Sequence, residues 1–135
     1  MPKPLIVQVS QELLNTILEG ARTLHPRENI LLLRGKKKKD TIEISELVIP
    51  PLAAHGSHFV TFASHMLPID FSIIGTAHSH PSGQLRPSPA DLNHFFGAVL
   101  MIVGFPYADE NNVSVYRSDG EKLGLQVTDS KAEPC

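Results

Sequence analysis

The sequence predicts an α+β fold, a mixed β-sheet sandwiched with one long helix near the N-terminus and one short helix past the middle. Three observations carry this. Apolar residues recur at helical spacing in one early stretch, and several short apolar or alternating runs are bounded by Gly, Pro and charged residues. The later runs then follow one another as hairpins.

Met1 to Pro4 reads as an extended lead-in, and Leu5-Ile6-Val7-Gln8-Val9 has the composition of a short strand. Ser10 is the expected N-cap of a helix from Gln11 to Leu24, with Glu12 in the first turn and Leu13, Leu14, Ile17, Leu18, Ala21 and Leu24 along one face. His25-Pro26 ends it, because a residue before proline avoids the helical region, and His25 reads as a helix-terminal cation or cap. In the segment Arg27 to Gly35, the run Ile30 to Leu33 predicts a strand buried on both faces. Lys36 to Asp40 is then a charged turn, and Thr41 to Ile49 the returning strand. Pro50-Pro51 opens a loop to Ser57, and a strand follows at His58 to Phe62. Phe71 to Ala77 is a strand that delivers His78. Leu92, Phe95 and Phe96 give an apolar face to a short helix over 89–96. Val99 to Val103 is a strand ended by Gly104 and Pro106. Val113 to Arg117 alternates as a half-buried strand, Ser118-Asp119-Gly120 signals a turn, and Leu123 to Val127 closes the sheet. Residues 128–135 are expected to form a frayed tail.

Length and composition bound the rest. The 135 residues suggest one domain, 1–135, and the 41% hydrophobic and 19% charged content is that of a globular chain. No apolar run is long enough to span a bilayer, and no secretory leader is evident, so a cytoplasmic protein without membrane contact is expected. Cys135 is the single cysteine; it excludes an intrachain disulfide and a Cys-rich zinc site, and fits a reducing compartment. A net charge of −2 gives no general case for nucleic-acid binding. The Lys36–Lys39 run is a small electrostatic footprint that usually means a solvated turn.

The chemistry concentrates between Gly75 and Phe96. On an extended segment, residues two apart share a face, so His78 and His80 can aim both imidazoles at one centre. Ser88-Pro89-Ala90-Asp91 reads as a helix start with Pro at its first position, and the Asp91 carboxylate can swing back towards the histidines. Two His and one carboxylate form the ligand set of a catalytic zinc that keeps a position for water. Taken separately, the two halves are a polar strand end and a helix cap; at this spacing the metal reading is preferred. His55, His58 and His65 pair with no carboxylate at a recognisable spacing and read as exposed or groove-lining residues. His94 reads as a surface residue or an outer neighbour of the site.

Amide hydrolysis at such a centre also needs a proton carrier and an oxyanion donor. Glu12, Glu19, Glu28, Glu43, Glu46, Glu110 and Glu121 are all candidate carriers. Glu28 stands out because it lies at the mouth of an apolar strand, on a rigid and partly dry element, but composition and spacing only balance it against the others together.

The pattern HSH-P-x6-S-x2-D, with Glu28 upstream in PRENILLLRG after an amphipathic helix, resembles the JAMM/MPN+ metalloproteases. The likeness extends in element order from about Ser10 to Val127, and every motif position is filled: Glu28, His78, His80, Pro81, Ser88 and Asp91. It implies the MPN fold, a curved mixed sheet in a cytidine-deaminase-like α-β-α sandwich. The ligands of a zinc deaminase are absent, however, since Cys135 stands alone. By the resemblance, His78, His80 and Asp91 bind zinc, Glu28 is general base and acid, and Ser88 donates a hydrogen bond to the oxyanion. Ser88 also reads as an N-cap; the roles are compatible, since capping uses an oxygen lone pair and donation uses the hydrogen.

The resemblance further implies cleavage of an isopeptide or peptide bond after the C-terminal tail of a ubiquitin-like modifier or a sulfur-carrier protein of that fold. The size is that of archaeal and bacterial members, and a homodimer is compatible with it. By position, Ile49 to Met66 and Ser82 to Arg86 form the groove walls, with Arg86 facing a substrate group or solvent. The other function classes are a modifier-binding scaffold with a structural zinc and a DNA-repair-associated relative, the latter suggested only by the lysine run.

Overall fold

Alternation in Ile6–Ser10 (β1) buries Val7 and Val9, and Ser10 then starts the helix Gln11–Leu24 (α1). The Ser10 hydroxyl accepts the Leu13 N–H at 3.1 Å, satisfying a donor that the first helical turn otherwise leaves unpaired. The helix spans the residues that the periodicity predicts. At its end, the His25 N–H bonds the Ala21 carbonyl at 3.0 Å. The computed structural model describes residues 5–49, 54–55, 60–61, 72–93 and 97–128. Expectations for residues 1–4, for most of the 50–71 segment including His58 and His65, for His94, Phe95 and Phe96, and for the end of the chain with Cys135 fall outside these residues.

The remaining strands are Ile30–Lys37 (β2), Thr41–Val48 (β3), Ala54–His55 (β4), Val60–Thr61 (β5), Ile73–His80 (β6), Val99–Gly104 (β7), Val113–Tyr116 (β8) and Lys122–Thr128 (β9), with a second helix, Pro89–Asn93 (α2). β4 and β5 pair only with each other, inside a stretch expected to begin as loop. The other strands run in the order β1-β3-β2-β6-β7-β8-β9, and β1 pairs in parallel with both β3 and β9. The mixed sheet is therefore as expected, and it curves until it closes on itself as a barrel. Closure follows from β1 using both edges: Ile6 faces Thr41 on one side and Gly124 on the other.

Three boundaries also shift. β2 runs on to Lys37, so the turn contracts and is held by the Lys38 N–H to the Thr41 carbonyl at 2.7 Å. Thr128 pairs with Ser10 and belongs to β9, not to a tail. β6 contains both histidines, where the strand was expected to end before them.

α1 buries Leu14, Ile17, Leu18 and Ala21 among inward residues of the barrel, including Val7, Val9, Leu33, Ile42, Val99, Met101, Val103 and Val115. The opposite face of β7 and β8 carries a smaller cluster, Leu100, Ile102 and Tyr116, against which Leu85 and Leu92 pack. α1 and α2 thus lie against opposite faces of β7. Among the described residues no helix is long and apolar enough to cross a membrane.

Candidate metal centre

β6 lies between two partners whose registers decide what stands beside the histidines. β7 runs parallel to it, with His78 opposite Ile102 and His80 opposite Gly104. Side chains alternate along a strand, so His78 and His80 emerge on the face of Leu100 and Ile102, while Ala77 and Ser79 face the side of Met101 and Val103. The apolar patch on the first face is what docks α2, through Leu92. Gly104 lets the segment after β6 pass close by: a Cβ there would come within 2.9 Å of the Gly83 carbonyl oxygen. Gly83 itself adopts φ of 85° as that segment turns, its N–H bonding the His80 carbonyl at 3.0 Å.

The start of α2 then meets the histidines. Ser88 and Asp91 form a reciprocal cap: the Asp91 N–H donates to Ser88 Oγ at 3.0 Å, and the Ser88 N–H donates to Asp91 Oδ2 at 2.8 Å. The cap fixes the carboxylate so that Oδ1 lies 3.3 Å from His78 Nδ1 and Oδ2 lies 3.1 Å from His80 Nε2. All three side chains are nearly enclosed, at 16%, 13% and 14% exposure for His78, His80 and Asp91. Burial by itself would raise the Asp91 carboxyl. Hydrogen bonds from His78, His80 and the Ser88 N–H outweigh it and hold the group ionised far below the ordinary carboxylate range.

His80 has an acceptor at each ring nitrogen: the Gln84 carbonyl 2.8 Å from Nδ1 and Asp91 from Nε2. The hydrogen bond to Asp91 raises its pKa, desolvation works against that, and the Gln84 carbonyl and the charges of Asp91 and Glu28 add to the rise. When Nδ1–H is committed to a carbonyl, Nε2 is the nitrogen left to bind a metal, an orienting contact common to metal-bound histidines. His78 Nε2 lies 3.3 Å from Thr76 Oγ1.

This donor set fits zinc. Two imidazoles and an ionised carboxylate are the N/O donor chemistry of a three-ligand zinc set, and Asp91 contacts both imidazoles, at 3.3 and 3.1 Å. Among the described residues no three His, Cys, Asp or Glu side chains are already grouped as a metal-binding cluster.

Glu28 sits two residues ahead of β2, in the connection from α1, and not on the strand itself. Its position follows from register. β2 runs antiparallel to β6 with Ile30 opposite His78, and two further bonds carry the pairing past the strand end: Ser79 N–H to the Asn29 carbonyl at 3.0 Å and Asn29 N–H to Ser79 Oγ at 2.7 Å. Asn29 is thereby tied to Ser79, and the charge of Glu28, one residue before it, is felt by both His80 and Tyr107. His25 does more than cap α1: its ring stacks on Phe105, with centroids 4.6 Å apart, and its Nδ1 is 3.0 Å from the hydroxyl of the buried Tyr107. Reading the sequence missed Ser79, Gln84 and Tyr107. The alternation of the strand was a signal for the first; the other two act through contacts that no spacing reveals. Arg86 is exposed, and the side chains of 49–66 beyond Ile49 lie outside what is described.

Known proteins are similar to this chain in sequence and fold. Residues 10–118 match the family of prokaryotic homologues of the JAB domain. A probable metalloprotease of Haloferax volcanii is 33% identical over 132 residues, covering 93% of this chain and 81% of the relative. A JAB1/MPN domain protein from Archaeoglobus fulgidus has a similar structure, with a TM-score of 0.66 and 39% identity over 93% of this chain and 99% of that one. A structure described as a metalloprotease-like JAMM zinc site in the proteasome and signalosome gives a TM-score of 0.63 and 35% identity, over 94% of this chain and 100% of the other. With the family model matched over residues 10–118 and these relatives in agreement, this chain belongs to the prokaryotic JAB-domain branch of the JAMM/MPN family.

Proposed function

We propose that this protein is a zinc metalloprotease that hydrolyses the isopeptide or peptide bond following the C-terminal tail of a ubiquitin-like modifier or sulfur-carrier protein. The observation that carries the reading is the meeting of His78, His80 and Asp91, with the charge of Glu28 within reach of His80. His78, His80 and Asp91 hold the metal. Bound zinc supplies Lewis acidity, which makes water nucleophilic near neutral pH and polarises a carbonyl. Glu28 takes the proton from the attacking water and returns it to the leaving amine. Ser88 keeps its oxygen lone pair on the Asp91 N–H, and its hydroxyl hydrogen is directed to the oxyanion of the tetrahedral intermediate. A structural zinc would need neither Glu28 nor Ser88, which favours catalysis over a scaffold. The single cysteine is in keeping with a cytoplasmic setting.

The test uses purified protein and a ubiquitin-like modifier joined through its C-terminal glycine to the ε-amine of a lysine peptide. Cleavage should occur, stop with a chelator, return with zinc and be absent in Glu28→Gln. Full activity in that variant would remove the assigned mechanism. Stoichiometric zinc and modifier binding without any cleavage would support the scaffold instead.

A further inference from the structure

The central residue of the His-Ser-His triplet points away from the metal ligands, yet its side chain has a specific partner. Ser79 is 2% exposed, one of the few buried polar side chains among the described residues. Its hydroxyl accepts the Asn29 N–H at 2.7 Å, and its own N–H donates to the Asn29 carbonyl at 3.0 Å. An ordinary antiparallel ladder would offer main-chain groups on both sides. Here a side chain replaces one of them where β2 has already ended, since Ile30 is its first residue. The residue so clamped is the immediate neighbour of Glu28. On the other side of Glu28 the chain is held by the Arg27 N–H to the Leu24 carbonyl at 2.8 Å and by the contact of His25 with Tyr107.

We infer that Ser79 is a positioning residue for Glu28: one serine, lying between the two histidines, sets the place of the proton carrier relative to them. This inference rests on the function proposed above. Strand alternation makes the arrangement economical, because the same three-residue stretch sends His78 and His80 to one face and the Ser79 hydroxyl to the other. Losing the hydroxyl would leave the Asn29 N–H without this acceptor and loosen the chain next to Glu28, while the contacts of Asp91 with the histidines persist. A displacement of about 1 Å in a catalytic group can cost on the order of 100-fold in rate.

The experiment compares zinc-loaded wild type, Ser79→Ala and Ser79→Thr by three readouts: exchange of the Asn29 amide hydrogen, zinc affinity against a chelating dye, and kcat and KM on the modifier–lysine peptide conjugate. In wild type the Asn29 amide should be protected. Ser79→Ala should expose that amide and lower kcat by about 10- to 100-fold with KM and zinc affinity unchanged, and Ser79→Thr, which keeps the hydroxyl, should restore both protection and kcat. An unprotected Asn29 amide in wild type would overturn the inference without any variant. Unchanged kcat in Ser79→Ala, or a fall in zinc affinity together with kcat, would overturn it also. Retained activity in Glu28→Gln would instead remove the proton-carrier assignment, so the two failures are distinguishable.

Discussion

At the residue scale, the two histidines and Asp91 act as competing claimants for one another, for protons and for a metal. The carboxylate contacts both imidazoles, and His80 meets an acceptor at each ring nitrogen, so it donates from both when protonated. The sign of the pH dependence follows. His80 is raised above its ordinary 6.5, so its contribution to stability is fully present below 6.5 and disappears as pH rises through the higher folded value. Asp91 is lowered from 3.8, so its contribution is present above 3.8 and disappears as pH falls through the depressed folded value. In the metal-stripped protein, the stability lost on Asp91→Ala should therefore be largest between these two pH values and shrink on either side, as urea midpoints across pH would show. A zinc-bound imidazole must be neutral at the binding nitrogen, and the His80 pKa is raised, so loading should weaken as pH falls and, where His80 is protonated, release protons into an unbuffered solution on titration. At Glu28 the prediction is catalytic: Glu28→Gln should keep zinc and lose about 10²- to 10⁴-fold in kcat, measured together with metal content by mass spectrometry.

At the scale of the element, α2 is a helix of one turn whose existence depends on its cap and on the patch beneath it. Ser88→Ala removes the acceptor for the Asp91 N–H, with an expected cost of about 1 kcal/mol in stability. On the proposed mechanism the same change removes the oxyanion donor, with an expected fall of about 10²- to 10³-fold in kcat. Denaturation and kinetics on one protein sample separate these effects, since an N-cap acting alone would move the first and spare most of the second. The helix was legible in Ser88-Pro89-Ala90-Asp91 because capping is a local property. The hairpin at 118–120 was legible for the same reason: Gly120 takes φ of 88°, and its N–H closes on the Arg117 carbonyl at 2.9 Å. The reach of β2 to Lys37 was not, because lysines carry no strand signal of their own and pair there only through β3.

On the scale of the whole molecule, α1 and the closed sheet share one core, and the site lies against the sheet's other face. Leu14 is fully buried where the helix meets β1, β3 and β9. Leu14→Ala should cost about 2–5 kcal/mol, read as a lower urea midpoint with unchanged slope. Zinc stoichiometry in the protein that remains folded should be unaffected, because the ligands are carried by β6 and α2.

What the sequence by itself determined was everything that depends on neighbours along the chain. The span of α1, the shared face of His78 and His80, the cap that turns Asp91 back and the family pattern were all readable from spacing, since the periods of helix and strand fix which side chains point together. What only the tertiary structure decided was everything that depends on pairing between distant segments. Closure of the barrel joins Ser10 to Thr128, and the stretch next to Glu28 is tied to β6 by the β2–β6 register and the bonds of Asn29 with Ser79. Spacing balanced Glu28 against the other glutamates because a register is set by packing across the whole sheet, and no single stretch of sequence contains it.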